Sequence, residues 1–256
     1  MSDSRIAAQM YTLREFLKTP GDIARTLAKV KAIGYEAIQI SGFGPYDPAE
    51  VAKMLEGEGL ACVSTHTSLE RLIEEPDEFI EEHHLWGCKH TAIASMPKKY
   101  HNPDGVKAFA SKADEIGSTL AEAGITLAYH NHNFEFVKSG GKTWLEIIYE
   151  NTAPENLKVE IDTYWVQAGG GDPAEWIRKY AGRMPVLHAK DMIIGPDGKQ
   201  RFAEIGEGNL NWPAILSASK DAGVEWYCVE EDDCYERDPF EALKISLDNL
   251  RDMGVK

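Results

Sequence analysis

A single (β/α)8 barrel of the α/β class is the fold this sequence predicts, and three observations carry it. A helix-start signal recurs at Asp47-Pro48-Ala49-Glu50, Asp172-Pro173-Ala174-Glu175 and Asp238-Pro239-Phe240-Glu241, with variants at Thr19-Pro20-Gly21-Asp22 and Asn102-Pro103-Asp104. In each, the first residue accepts from free helix N–H groups, proline suits the first helical position, and the later acid favours the positive end of the helix. Short apolar runs alternate with helical segments along the whole length, which implies parallel strands joined by right-handed crossovers. Finally, the first run passes into Tyr11-Thr12-Leu13-Arg14 with no GxGxxG, so the units close into a barrel rather than an open doubly wound sheet.

Taken in order, the strands fall at residues 6–11, 37–40, 61–66, 91–95, 125–132, 157–162, 184–190 and 226–230. Thr19-Pro20 opens the helix after the first strand and Asp47-Pro48 the one after the second. Beyond the fourth strand, Val106, Phe109, Ala113, Ile116 and Leu120 share one face at helical spacing. Beyond the eighth, Phe240, Leu243, Leu247 and Leu250 do the same. No linker or low-complexity tract interrupts the chain, so residues 1–256 read as one domain.

Composition narrows the function. The 256 residues carry 27 Lys+Arg against 42 Asp+Glu, a formal charge of −15, which argues against nucleic acid or an anionic membrane as partner. A small neutral ligand or a metal ion fits better. Residues 1–6 show no basic-then-apolar targeting pattern and no run is long enough to span a bilayer, so the expected address is the cytoplasm. Cys62, Cys88, Cys228 and Cys234 lack CxxC spacing and read as free, mostly buried thiols. A homo-oligomer is left open.

Barrels of this kind carry their chemistry at the C-terminal strand ends. Those positions hold His66 on the third strand, His130 and His132 on the fifth, Asp162 on the sixth, His188 and Lys190 on the seventh, and Glu230 on the eighth. His130, Asp162, His188 and Glu230 thus form a mixed N/O donor set on one rim, suited to a divalent cation such as Mn²⁺, Mg²⁺, Co²⁺ or Zn²⁺. Each has a plainer reading. Asp162 can cap the next segment, His188 can be a satisfied core histidine, and Glu230, beside Glu231, Asp232 and Asp233, can be solvated.

At Ile161-Asp162-Thr163-Tyr164-Trp165, His188-Ala189-Lys190-Asp191, the run from Glu204 to Trp212 and Val229-Glu230-Glu231-Asp232, the chain resembles the xylose-isomerase-like TIM barrels. That superfamily holds sugar isomerases and epimerases, inosose dehydratases and endonuclease IV. The resemblance implies Asp162, His188 and Glu230 as metal ligands. Its fourth ligand, a glutamate on the fifth strand, is replaced here by His130 in Tyr129-His130-Asn131-His132. Glu135 either folds back to supply that carboxylate or contacts a substrate hydroxyl, as the family's Asn-Arg-Phe-Glu pattern suggests. An endonuclease is disfavoured, because Trp165 stands where a histidine is expected and the charge is wrong.

The remaining residues read as follows. His132 shares the face of His130 and, with an ordinary pKa of about 6.5, suits an acid or base role; the alternatives are a ligand or an orienting partner. Lys190 either stabilises an enolate or pairs with Asp162 or Glu230. Trp165 is expected to line the pocket, His66 to meet a sugar hydroxyl, and Arg201 to be the nearby cation for substrate. Trp226 is assigned to the core, and His83, His84, His90 and His101 to the surface. Gly206 and Gly208 invite a phosphate loop, but loop geometry is the preferred reading. The expected activity is a divalent-metal-dependent isomerase or epimerase acting on a small carbohydrate, with Glu230, His132 and Lys190 as its chemistry. A dehydratase or lyase acting on an inosose or 3-keto-glycoside is the close alternative, and a non-catalytic sugar-binding barrel the remaining one.

Overall fold

The computed structural model describes residues 5–256; residues 1–4 of the stretch read for a targeting signal lie outside the described residues. Eight parallel strands form its centre: β1 (Arg5–Gln9), β2 (Ala37–Ile40), β3 (Ala61–Thr67), β4 (His90–Ile93), β5 (Thr126–His130), β6 (Leu157–Glu160), β7 (Val186–Ala189) and β8 (Trp226–Val229). Their order is β6-β5-β4-β3-β2-β1-β8-β7. The ring closes between β6 and β7 through a bridge of Asp162 with His188 and a 2.9 Å bond from His188 N to Ile161 O. The barrel seam therefore runs through two residues assigned to the site.

Helices α1 (Pro20–Ile33), α2 (Pro48–Glu58), α3 (Leu69–Glu74), α4 (Pro76–Trp86), α5 (Pro103–Glu122), α6 (Trp144–Glu150), α7 (Thr163–Ala168), α8 (Pro173–Lys179), α9 (Trp212–Ala222) and α10 (Pro239–Asp252) complete the fold. Thr19, Asp47, Asn102, Asp172 and Asp238 cap α1, α2, α5, α8 and α10 through their side chains, as the recurring signal requires. Among the described residues, no helix is long and apolar enough to cross a membrane.

Several strands stop one or two residues before their predicted ends, for identifiable reasons. After Gln9 the chain enters a 3-10 turn (Met10–Phe16), because the Gln9 side chain accepts from Tyr11 N at 2.6 Å. After His130, the N–H of His132 donates to Glu135 Oε2 at 2.9 Å instead of to a neighbouring strand. Asp162 leaves the ladder to cap α7, with its Oδ1 accepting from Trp165 N at 2.9 Å. His132, Asp162, Lys190 and Glu230 thus sit just beyond their strands, whereas His66, His130 and His188 are held within the ladder.

The barrel interior is layered. Ala7, Ala37, Val63, Val186 and Cys228 pack at its N-terminal end, with half-buried Trp226 against them. Two residues further along several of the same strands, the inward positions turn polar: Gln9, Gln39, His188 and Glu230, joined by Glu160 and Asp162 on the sixth. A bulge in the β2–β3 pairing adjusts the register where this change occurs. Corrections to the expected surface residues follow from packing. His83 is fully buried, within 2.9 Å of Thr65 Oγ1 and of Phe79 O, and His90 and His101 are half-buried. Cys62, Cys88 and Cys228 are buried free thiols, and Cys234 is half-buried.

Candidate metal centre

A cavity of about 260 Å³ opens at the C-terminal rim, lined by Gln9, His66, His130, His132, Lys190, Glu230 and Asp232 among others. Asp162 and His188 lie just beneath it, both fully buried. The geometry is a product of topology. Inward positions of β3, β5, β6, β7 and β8 converge on the axis although they are far apart in sequence.

Donor atoms of Asp162, His188 and Glu230 all lie within 4.8 Å of one another, and so do ring nitrogens of His66, His130 and His188. His130 Nε2 is 3.2 Å from Asp162 Oδ2, and its Nδ1 is 3.0 Å from Ala94 O, which fixes the ring. His188 Nε2 sits 2.8 Å from Glu230 Oε2, and Nδ1 is 3.8 Å from both Glu160 Oε1 and Asp162 Oδ2. Yet neither His188 nitrogen makes a hydrogen bond of acceptable direction among the described residues. The short approach of Glu230 is out of line with the ring N–H. A fully buried imidazole surrounded by carboxylate oxygens but not bonded to them is what a shared cation would organise. The N/O donor set of Asp162, His188 and Glu230, with His130 alongside, fits a divalent ion.

Lys190 supplies the largest positive charge in the cluster. Its Nζ is 2.6 Å from Glu230 Oε2, 2.7 Å from Asp232 Oδ2 and 3.2 Å from Asp162 Oδ2. Burial opposes its charge, but these carboxylates outweigh burial and push its pKa above the usual lysine range. Burial likewise works against Asp162 and Glu230, and in both Lys190 prevails and holds the carboxyl well below its ordinary value. Both readings of Lys190 in the sequence are therefore compatible with its place: it is an ion-pair partner whose ammonium also faces the cavity.

His132 lies where its spacing suggests, with its ring centroid 5.0 Å from that of His130, though it stands beyond the strand. Burial, then the nearby His130, drives its pKa down to about 3, so its ordinary titration near neutrality is lost. Its Nδ1 is buried without a hydrogen-bond partner among the described residues. Half-buried Trp165 packs with its ring centroid 5.4 Å from that of His132 and so stands behind that ring, not among the residues that line the cavity as expected.

Three assignments need correction or refinement. Glu135 neither reaches the rim cluster nor lines the cavity; it is fully buried, accepts from Tyr129 Oη and from His132 N, and braces the turn that presents His132. Burial raises its pKa to about 7. Arg201 lies on a short antiparallel ribbon (Asp191–Ile194 with Gln200–Ala203), 3.4 Å from Asp197, and lines a separate groove. His66 does line the cavity, but its Nε2 is held 2.5 Å from Glu160 Oε1.

Glu160 is the charged residue of the barrel interior that sequence reasoning missed. It is fully buried inside the barrel, bonded by Gln39 Nε2 at 3.1 Å as well as paired with His66. Its signal was available: it lies two residues before Asp162 and therefore on the same strand face. Gln9, which approaches His66 Nδ1 to 3.3 Å, was missed because a glutamine carries no charge signature.

The run from Glu204 to Trp212 has a definite task. Asp191 accepts from Met192 N, Gly206 N, Gly208 N, Leu210 N and Trp212 Nε1 at 2.6–3.2 Å. The glycine N–H groups that a phosphate would use are therefore already engaged by a buried carboxylate. Gly206 needs its φ of +89°, and a Cβ on Gly208 would lie 2.3 Å from Asp191 Oδ1.

Comparison with known proteins agrees with this architecture. The family described as xylose isomerase-like TIM barrel matches residues 27–253. An inosose dehydratase from Lacticaseibacillus casei is 23% identical over 251 residues, covering 82% of this chain and 83% of its own length. A sugar phosphate isomerase/epimerase from Parabacteroides distasonis superposes with a TM-score of 0.83 at 26% identity, over 99% of this chain and 100% of that one. A xylose isomerase-like barrel from Mycobacterium smegmatis, solved in complex with magnesium, shares the fold at 14% identity and a TM-score of 0.73 over 96% of this chain and 95% of that one.

Proposed function

Because the chain belongs to the xylose isomerase-like TIM barrel family, we propose that it is a divalent-metal-dependent isomerase or epimerase of a sugar or keto-sugar. The carrying observation is the convergence of Asp162, His188 and Glu230 under a cavity of about 260 Å³, with both His188 nitrogens lacking a hydrogen bond among the described residues. These three residues, with His130 beside Asp162, would hold the ion. When bound, a divalent cation supplies Lewis acidity at a carbonyl and its neighbouring hydroxyl and so acidifies the adjacent C–H.

The protein's own residues do the rest. A Glu230 carboxylate oxygen takes the proton from the substrate carbon and returns it to the neighbouring carbon of the enediolate, while neutral His132, through the unpartnered Nδ1, accepts a hydrogen bond from the adjacent substrate hydroxyl. The Lys190 ammonium stabilises the developing enolate oxygen, at a position where three carboxylates hold it charged. Trp165 and Phe134 flank the His132 ring and exclude water from that side. Glu135 positions His132 through the backbone N–H.

A second reading is favoured by one feature, the replacement of the family's fifth-strand glutamate by His130. Without a carboxylate pair, proton removal at Glu230 followed by proton donation from Lys190 to a departing hydroxyl gives elimination, a dehydratase on an inosose or 3-keto-glycoside. The L. casei relative's name supports that branch. The two separate on incubation of aldoses, ketoses and 3-keto-glycosides with Mn²⁺-loaded protein in D₂O, followed by NMR. Deuterium at the reacting carbon with a rearranged or inverted product supports the leading reading; loss of water supports the second. A preparation that neither retains nor responds to any divalent cation overturns both and leaves a sugar-binding barrel.

A further inference from the structure

Four uncommitted side chains meet inside the barrel from four different strands: Gln9 on β1, Gln39 on β2, His66 on β3 and Glu160 on β6. Gln9 and His66 line the rim cavity, and Gln39 and Glu160 are fully buried. They are joined in one run of hydrogen bonds whose sense is fixed from its first donor, a backbone N–H.

Tyr11 N donates to Gln9 Oε1 at 2.6 Å, so the oxygen of that amide is taken and its nitrogen is the atom 3.3 Å from His66 Nδ1. An amide nitrogen only donates, so Nδ1 accepts and carries no proton. The ring proton is therefore on Nε2, which lies 2.5 Å from Glu160 Oε1 and donates to it. Gln39 Nε2 donates to the same oxygen at 3.1 Å. His66 is thus held in a single tautomer from both sides.

One hydrogen is left over. Gln9 Nε2 carries two and spends one on His66, and Gln9 makes no further side-chain hydrogen bond among the described residues. Gln9 is 1% exposed yet lines the cavity, so the second hydrogen is presented to whatever fills it. In this it differs from its neighbours on the lining. The hydroxyls of Ser41, Ser95 and Tyr11 rotate to donate or accept, whereas the amide of Gln9 cannot reverse. Turning it over would set two donors together at Tyr11 and two acceptors together at His66, the cost of a buried unpaired group at each.

We propose that Gln9 is a specificity-determining residue that donates to an oxygen of the substrate, and that Glu160 is the positioning residue that holds it in that sense through His66. The ligand atom at this place is a carbonyl, hydroxyl or ether oxygen, and an ammonium or other donor-only group is rejected. That the oxygen belongs to a carbohydrate rests on the metal-dependent reading given above. The donor itself does not depend on it.

The test begins on protein labelled with ¹⁵N in histidine and glutamine, without metal or ligand, in mildly alkaline buffer. Long-range ¹H–¹⁵N spectra should show His66 with a bare Nδ1 and a protonated Nε2. Glu160→Leu, which removes the acceptor, should lose that single tautomer, and Glu160→Gln, whose Oε1 can still receive the bond, should keep it. A merely structural role would lower the melting temperature of both variants without this difference. Titration in Mg²⁺-containing buffer with 2-hydroxycyclohexanone, a neutral ring bearing adjacent carbonyl and hydroxyl oxygens, should shift the Gln9 side-chain amide saturably. Cyclohexylammonium, the same ring with a donor alone, should not. Gln9→Met and Glu160→Leu should each weaken 2-hydroxycyclohexanone by about fivefold, the size of one neutral hydrogen bond, and Glu160→Gln by less than about twofold. The proposal is overturned by a wild-type His66 protonated on Nδ1, by a Glu160→Leu variant that keeps the single tautomer, or by a Gln9 amide that responds to both probes alike or to neither. The wild-type spectra decide it even where Glu160→Leu does not fold. Because the His66 tautomer is read without metal or turnover, its failure is separate from a failure of the metal-dependent reading, which metal retention tests.

Discussion

Two buried carboxylate regions meet at β7 and solve the same electrostatic problem in opposite ways. Asp191 is fully buried and its oxygens accept from five neutral N–H groups contributed by its own neighbour and by residues 206–212. One residue away, Lys190 belongs to the rim, where Asp162 and Glu230 are neutralised by charge, and where His188 keeps both nitrogens free of hydrogen bonds among the described residues. A carboxylate saturated by peptide dipoles has no coordination left for a ligand, so it fastens a loop. One balanced by an ammonium and adjacent imidazoles keeps acceptor capacity for a cation. Burial and charge look alike in the two regions; the difference lies in what completes the coordination.

The comparison breaks most visibly at the rim. Asp162→Asn or Glu230→Gln should lower metal affinity by more than the roughly 10–100-fold cost of losing an outer partner, and activity by about 10³-fold or more, equivalent to roughly 4 kcal/mol. Metal analysis of the dialysed variants is the check, and full occupancy in both would remove these residues from the ligand set. Stability is expected to move the other way round in the second region. Asp191→Asn should cost about 2–3 kcal/mol in chemical denaturation by leaving several buried N–H groups poorly matched, with metal content unchanged. A variant that loses metal but not stability would place Asp191 with the rim.

A smaller effect sharpens the packing side of the same contrast. Gly208→Ala should destabilise by about 1–3 kcal/mol, because the added methyl meets both the Asp191 carboxylate and the Met192 carbonyl at less than 3 Å. Thermal melting with and without metal should show the same shift in both states. The smallest change belongs to a surface pair outside both regions. Although some burial opposes it, hydrogen bonds from Lys179 and from Thr143 hold Glu146 down at about 2. A depressed carboxylate pKa contributes stability above the unfolded value and loses it as pH falls through the folded one. Glu146→Gln should therefore cost at most about 1 kcal/mol at pH 7, and the gap from wild type should close between about pH 4.5 and pH 2.

What the sequence determined by itself was the framework. Five side-chain caps announced helix starts because proline and a short acceptor encode that geometry locally. The alternation of runs and helices specified a parallel barrel because parallel strands need crossovers. Strand-end positions then nominated Asp162, His188, Lys190 and Glu230 together, because every strand of a barrel delivers its last inward residue to the same rim. The tertiary structure alone decided the rest. Where each strand stops depended on which acceptor captured the next N–H, so Glu135 became a brace for His132 instead of a pocket residue. Arg201 was carried to a neighbouring groove by a ribbon whose partner strand is set by Asp191 and its loop. Glu160 acquired its importance only when β3 brought His66 to within 2.5 Å of it. Local propensity is written along the chain, whereas the partner that satisfies a buried charge is chosen across it, by residues that sequence places as far as 121 positions apart.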